Sequence, residues 1–187
     1  MQAKNILAVG VFHGDEGQGE FFINSYLQKY TQVGKNSLYF IPRLNFSSVR
    51  KNPNGVDLNR NFPTKNWQKN EPESDYFSGD KPMSEKEVEF IVDLMNKVNF
   101  DAVITIHSPY KVVNYDGPAK TLAQKISDII GYPASSDIGY PTPGSFGTYS
   151  GVERQIPTLT IEIDEEEDLG SINLKFEKIF EYLKNEY

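Results

Sequence analysis

The stretch "DAVITIH", residues 101–107, decides the fold class. From Ala102 to Ile106 it is aliphatic or β-branched without a break, and it ends on a histidine. A short apolar run of this kind predicts a strand buried on both faces. Just before it, "VEFIVDLMNKV" (88–98) places apolar residues at helical spacing, and Ser84 followed by Glu87 predicts a capping box at the start of that helix. A helix feeding a buried strand is the repeating unit of an α/β layered domain.

The alternation continues in both directions. Toward the N-terminus, Asn5 to Val11 is a second buried-strand pattern; the glycine-bearing turn "HGDEGQGE" (13–20), a helix over Gly19 to Tyr30 and a strand candidate at Ser37 to Pro42 follow it. Toward the C-terminus come a helix over Pro118 to Ile130, a glycine- and proline-rich loop from Gly131 to Gly151, a third buried strand at Thr158 to Ile163, and a closing helix over Ile172 to Tyr187. The expected architecture is α/β with a largely parallel sheet, in one domain spanning residues 1–187, without internal repeat or linker. In such sheets ligands bind beyond the carboxyl ends of the strands. Ionisable residues gather at three of those ends: His13 with Glu16, His107, and Glu162.

Composition excludes several classes. With 38% hydrophobic residues, a chain of 187 residues can bury a core without a metal or disulfide as a staple. Nineteen basic against 26 acidic residues give a net charge of -7, which argues against nucleic acid or an anionic membrane as partner. The absence of cysteine removes thiol nucleophiles, Cys-zinc sites and disulfides together. The apolar stretch from Ile6 to Phe12 is interrupted by Gly10 and too short to span a bilayer, and it lacks a signal peptide's flanks; the expectation is a cytoplasmic protein.

The two histidines of the chain each follow or end a buried-strand pattern. Taken alone, each reads as a loop residue or a hydrogen-bonded core histidine. Together with Glu16 they also fit a zinc site with His13 and Glu16 as a close pair and His107 as a distant third ligand, one zinc ion per chain with a position left to water. Glu162 sits in "PTLTIEID" on the opposite face from Leu159 and Ile161. It is either a solvated edge-strand glutamate or a carboxylate positioned as general base beside a metal-activated water.

From Arg43 to Pro82 the chain is polar, proline-dotted and without period, and a long irregular segment inside a compact domain is usually functional. It contains "NPNGVDLNRNFP" (52–63) and three of the four arginines, at 43, 50 and 60, whereas the fifteen lysines are spread along the chain. Arginines gathered in one loop either pin it through carboxylate bridges or present planar forks to a carboxylate or oxyanion.

"HGDE", "NPNGVDLNRNFP", "TIHS" and "TIEI", in this order, resemble the motifs of the M14-type zinc carboxypeptidases, from His13 to Glu162. The resemblance implies a three-layer α/β/α fold with a mostly parallel, mixed central sheet, with His13, Glu16 and His107 as zinc ligands and Glu162 as catalytic base. It implies further that Arg50 polarises the scissile carbonyl, that Asn59 and Arg60 hold a substrate's free carboxylate, and that Asp57 orients the first zinc histidine. Tyr140, shortly before "PTPGS", takes the place of the family's mobile substrate-covering tyrosine. Within the family, "YPTPGSFGTYSG" (140–151) is most similar to the bacterial murein peptide amidases, which cleave the γ-D-glutamyl bond to meso-diaminopimelate in cytoplasmic cell-wall peptides being recycled. The implied partner is a small peptide with a free carboxylate, its pocket lined from Ser145 to Thr148. Deacylases of the succinylglutamate desuccinylase and aspartoacylase kind share His-x-x-Glu and a "DLNR"-like element, which would make N-acyl amino acids the substrates. A non-catalytic zinc or peptide-binding module is a third reading.

Overall fold

A computed structural model of the protein describes residues 2–30 and 33–187. In chain order its elements are β1 (Asn5–Gly10), α1 (Gln18–Lys29), β2 (Ser37–Ile41), a 3₁₀ turn (Leu58–Arg60), α2 (Lys86–Lys97), β3 (Ala102–His107), β4 (Val112–Asp116), α3 (Lys120–Ile130), β5 (Ala134–Ser135), a π-helical turn (Thr148–Glu153), β6 (Thr158–Glu162) and α4 (Leu169–Asn185). The six strands form one sheet in the order β2-β1-β3-β6-β4-β5. β2, β1, β3 and β6 are parallel neighbours, and β4 runs antiparallel to β6, so the sheet is mixed. Helices and loops cover both faces of this mixed sheet, the layered α/β/α arrangement that the sequence resemblance implies.

Strand periodicity sorts the side chains onto two faces. Ile6, Ala8, Ile104, Ile106, Leu159 and Ile161 pack against α1, α3 and α4, meeting Phe22, Ile126, Phe176 and Phe180. Leu7, Val9 and Val103 face the other way, toward Val88, Ile91 and Met95 of α2 and toward Phe12, Leu58, Phe62 and Phe146 of the loops. Each fully buried Leu, Ile, Val, Phe or Met side chain among them contributes roughly 1.5–3 kcal/mol of transfer free energy. Both faces of β3 are therefore committed, and His107 at its end points to the α2 side. The register pairs His107 with Glu162, the last residues of the two central strands.

A glycine contact sets the start of α1. A Cβ on Gly10 would lie 2.4 Å from the Pro42 carbonyl oxygen and 2.8 Å from the Gly19 carbonyl carbon, and one on Gly19 would lie 2.9 Å from the Gly10 Cα. Only two glycines permit this approach, and it brings the turn carrying His13 and Glu16 over the end of β3.

Several expectations are corrected. The strand β4, the short strand β5 and the π-helical turn lie in segments whose sequence shows no clean period. The predicted capping box does not form: Glu85 is the N-cap residue of α2 and its side chain does not cap. Ser84 instead donates to Glu85 Oε1 (2.7 Å) and accepts from Asn61 Nδ2 (2.9 Å). Fully buried Asn61 takes over the cap, accepting from the Glu85 backbone N–H (3.1 Å) and donating to the carbonyls of Ser78 (2.7 Å) and Lys81 (3.1 Å). Asn52 and Asn54 add 2.8 Å bonds to Glu85 Oε2. The asparagines of "NPNGVDLNRNFP" thus bind the long loop to the head of α2.

Asn61→Ala leaves these buried groups without partners. It is expected to cost about 2–3 kcal/mol, read as a lowered urea midpoint at unchanged slope. An unchanged midpoint would show that the loop is held elsewhere.

Candidate metal centre and substrate cleft

Val11 directs the chain into the site. It adopts φ 55°, a left-handed conformation that a β-branched residue takes only under constraint, at a cost of about 1–3 kcal/mol. Its side chain is fully buried, and Asn45 clamps the turn, its backbone N–H donating to the Val11 carbonyl (2.9 Å) and its Nδ2 to the Phe12 carbonyl (3.2 Å). Phe12 then stacks on the His107 ring with centroids 5.5 Å apart, and His13 follows it into the cleft.

The three sequence-predicted ligands converge. His13 Nδ1 lies 2.7 Å from Glu16 Oε1, and His107 Nδ1 lies 2.9 Å from Glu16 Oε2. One ligand atom from each residue falls within 4.8 Å of the other two, and all three side chains are buried. Two imidazole nitrogens and one carboxylate oxygen form a donor set suited to zinc with an open position. The far nitrogen of His13, Nε2, is 3.1 Å from Asp57 Oδ1, so a carboxylate fixes the ring while Nδ1 faces Glu16.

Asp57 is fully buried and collects further donors. Its Oδ1 also accepts from the Asn59 backbone N–H (2.9 Å), and its Oδ2 accepts from Arg50 Nε (3.2 Å) and Nη2 (2.9 Å). Burial opposes its charge, but the hydrogen bond and charge of His13 and the charges of Arg50 and Arg60 outweigh that and hold the carboxyl below its usual range. Burial likewise opposes the charged forms of His13 and Glu16. Bonds to Asp57 and Glu16 raise His13 to about 9, and bonds and charge from His107 and then His13 lower Glu16 to about 2.

Glu162 closes the constellation from β6. It is 6% exposed, its Oε2 has no hydrogen-bond partner among the described residues, and burial raises its pKa above the ordinary glutamate value. Its strand lies between β3 and β4, which removes the edge-strand reading.

A cleft of about 360 Å³ joins this centre to Arg50, Asn59, Arg60 and Tyr140. Arg50 Nη1 makes no hydrogen bond among the described residues and lies 3.9 Å from Glu16 Oε1, while its other nitrogens hold Asp57. Arg60 is 5% exposed, yet its guanidinium makes no ion pair among the described residues; Nη1 donates to the Asn59 carbonyl at 2.7 Å. The ring of Tyr76, unmarked in the sequence, lies 4.8 Å from the Arg50 guanidinium and 5.3 Å from that of Arg60. Asn59 Oδ1 accepts from the Phe146 backbone N–H (2.9 Å), which fastens the loop carrying Ser145 and Gly147 to the cleft wall. Tyr140 is partly exposed beside Tyr110, and burial followed by that neighbour pushes its phenol up to about 12. Of the clustered arginines, Arg43 does not join the cleft: its Nε donates to Glu20 at 2.8 Å and pins the loop to α1.

The sequence model of the zinc carboxypeptidases matches residues 3–125, and this chain belongs to that family. Murein peptide amidase A of Vibrio campbellii is 36% identical to it over 134 residues, 65% of this chain and 53% of that protein. The gamma-D-glutamyl-L-diamino acid endopeptidase 1 of Lysinibacillus sphaericus is 31% identical over 112 residues, 51% of this chain and 28% of that protein. The crystal structure of murein-tripeptide amidase MpaA from Escherichia coli O157 superposes with a TM-score of 0.83 at 25% identity, covering 98% of this chain and 82% of that one. The chain spans about half the length of the murein peptide amidases it matches in sequence.

Purified protein is expected to hold one zinc per chain by elemental analysis, and His13→Ala or His107→Ala to abolish tight binding. Stoichiometric zinc in both variants would place the metal elsewhere.

Proposed function

We propose that this chain is a zinc-dependent hydrolase that cleaves an amide bond beside a free carboxylate, with murein-type peptides as substrates. The observation that carries the reading is one cleft that holds, among the described residues, a Glu162 Oε2 without a hydrogen-bond partner beside the His13–Glu16–His107 cluster and a buried Arg60 guanidinium without an ion pair. Burying a charge without a partner is costly, and here a substrate supplies both partners. The names of the relatives support the choice of murein peptides and of a diamino acid at the cleaved bond.

A zinc ion held by His13 Nδ1, Glu16 and His107 Nδ1 would supply Lewis acidity to a water and to the carbonyl. Glu162 accepts the proton of the attacking water and returns it to the leaving amine, and its raised pKa suits both transfers. Arg50, through Nη1, donates to the oxygen that becomes negative during attack. Asn59 Nδ2 and the Arg60 fork hold the carboxylate of the released residue, and positioning of this kind contributes several orders of magnitude. Tyr140 covers the bound residue. Residues 1–187 act as one catalytic domain, a reading supported by the single six-stranded sheet of the described residues. The role proposed is cytoplasmic recycling of cell-wall peptides, as the sequence resemblance to the murein peptide amidases implies; among the described residues no helix is long and apolar enough to cross a membrane.

The direct test is a mass-spectrometric screen of the zinc-loaded protein against a murein tripeptide, ordinary peptides with free C-termini, and N-acyl amino acids. Cleavage of the murein tripeptide is expected; turnover of N-acyl amino acids alone would replace this reading with a deacylase. Glu162→Gln should keep zinc and fold while losing nearly all turnover.

Arg60→Lys should lower kcat/KM more than about tenfold, since lysine cannot reproduce the bidentate pair. Amidation of the substrate's free carboxylate should harm the wild type far more than this variant. Equal cleavage of acid and amide by the wild type would return Arg60 to a loop-pinning role.

A further inference from the structure

Arg60 lines a second cavity as well as the catalytic cleft. This cavity measures about 330 Å³, and none of His13, Glu16, His107 and Glu162 reaches it. It shares Arg60, Tyr76 and Tyr140 with the cleft, and its remaining walls are Pro141, Pro143, Gln68, Asn70 and Ser78. Its size falls in the range of small-molecule sites, about 300–1,000 Å³.

The polar groups of these walls largely satisfy one another. The Ser78 hydroxyl donates to the Gln68 carbonyl (2.8 Å), Asn70 Oδ1 accepts from the Ser78 backbone N–H (2.8 Å), and Asn70 Nδ2 donates to the Tyr76 carbonyl (2.8 Å). The prolines and the two tyrosine rings add apolar surface, and Arg60 is the one charged residue in the lining. Arg60 is buried, and its Nη1 is used on the Asn59 carbonyl, while Nε and Nη2 make no hydrogen bond among the described residues. Those two nitrogens form the side edge of the fork, the edge that grips a carboxylate through two parallel bonds. A buried cation is costly without a partner, and an occupant with one carboxylate on an apolar body would satisfy the guanidinium and the walls together.

We infer that this second cavity is a binding site for a small monocarboxylate with an apolar body, which seats its carboxylate on Arg60 and packs its body against Tyr76, Tyr140, Pro141 and Pro143. Binding follows from the cavity alone, whereas its consequence rests on the proposed function. That reading gives Arg60 to the substrate's free carboxylate, so the two ligands compete for one guanidinium. Occupation of the cavity weakens the binding of free-acid substrates and leaves Glu162 and the His13–Glu16–His107 cluster untouched. The cavity is thereby an inhibitory site for apolar carboxylates.

The test is calorimetry on the zinc-loaded protein with phenylacetate and phenylacetamide as probes. Phenylacetate is expected to bind at least about tenfold more tightly than the amide, which cannot form the charge-assisted pair. Gln68 and Pro143 line the second cavity and not the catalytic cleft, and Gln68 is exposed. Gln68→Trp fills the cavity from its rim, and Pro143→Glu sets a like charge beside the bound carboxylate. Phenylacetate binding weakened by about tenfold or more in either variant, with zinc content unchanged, supports the assignment. Equal affinity for acid and amide in the wild type overturns it, as does unchanged phenylacetate affinity in both variants, because the ligand then lies outside this cavity. In turnover of a murein tripeptide, phenylacetate should raise KM at unchanged kcat in the wild type. Gln68→Trp should lose that inhibition while its uninhibited kcat/KM stays at the wild-type level, and inhibition that persists in both variants overturns the inference. If no peptide is cleaved, the proposed function falls, and the calorimetry decides the cavity by itself.

Discussion

The buried carboxylate of Asp57 is the constraint on which the cleft depends. A fully desolvated charge is tolerated only when donors surround it, and Asp57 draws them from three places: His13 after β1, Arg50 early in the long loop, and the Asn59 backbone at the 3₁₀ turn. Those bonds fix the loop relative to the sheet. They also settle which ring nitrogen of His13 faces Glu16 and which way Asn59 and Arg60 leave the turn. One electrostatic requirement thereby aligns the His13–Glu16–His107 cluster with the arginines across the cleft.

The sheet supplies the other half of the geometry. Parallel pairing of β3 with β6 ends in the His107 and Glu162 pair, and the Gly10 and Gly19 contact lowers the Glu16 turn onto that edge. Strand alternation keeps Leu159 and Ile161 in the apolar layer while Thr160 and Glu162 face the cleft. The apolar packing that stabilises the sheet and the polar face that carries the chemistry are thus two sides of one period-two pattern. A register slip of one residue would exchange them.

Where local patterns misled, tertiary hydrogen bonds had overridden them. Ser84 and Glu87 have the spacing of a capping box, but Asn61 reaches the head of α2 from 24 positions earlier in the chain and satisfies it instead. Arg43 shares a loop with Arg50 and Arg60, yet Glu20 on α1 intercepts it. Asp116 carries no signal in the sequence, because "VVNYDG" (112–117) alternates too weakly to declare a strand; the register with β6 brings it to the face that carries Glu162.

By itself the sequence determined the layered α/β class, the two histidines and the glutamate at strand ends, and the polar loop with its arginines. Each of these is written in local period or in residue chemistry. Only the tertiary structure decided which residues meet: that His13 and His107 share one carboxylate, that Asp57 joins His13 to Arg50, that Arg60 is buried with no ion pair among the described residues, and that β4 adds Asp116 to the lining of the same cleft. The physical reason is separation along the chain. Strand and helix patterns are set by neighbours a few residues apart, whereas these contacts join positions tens of residues apart and exist only once the sheet has closed.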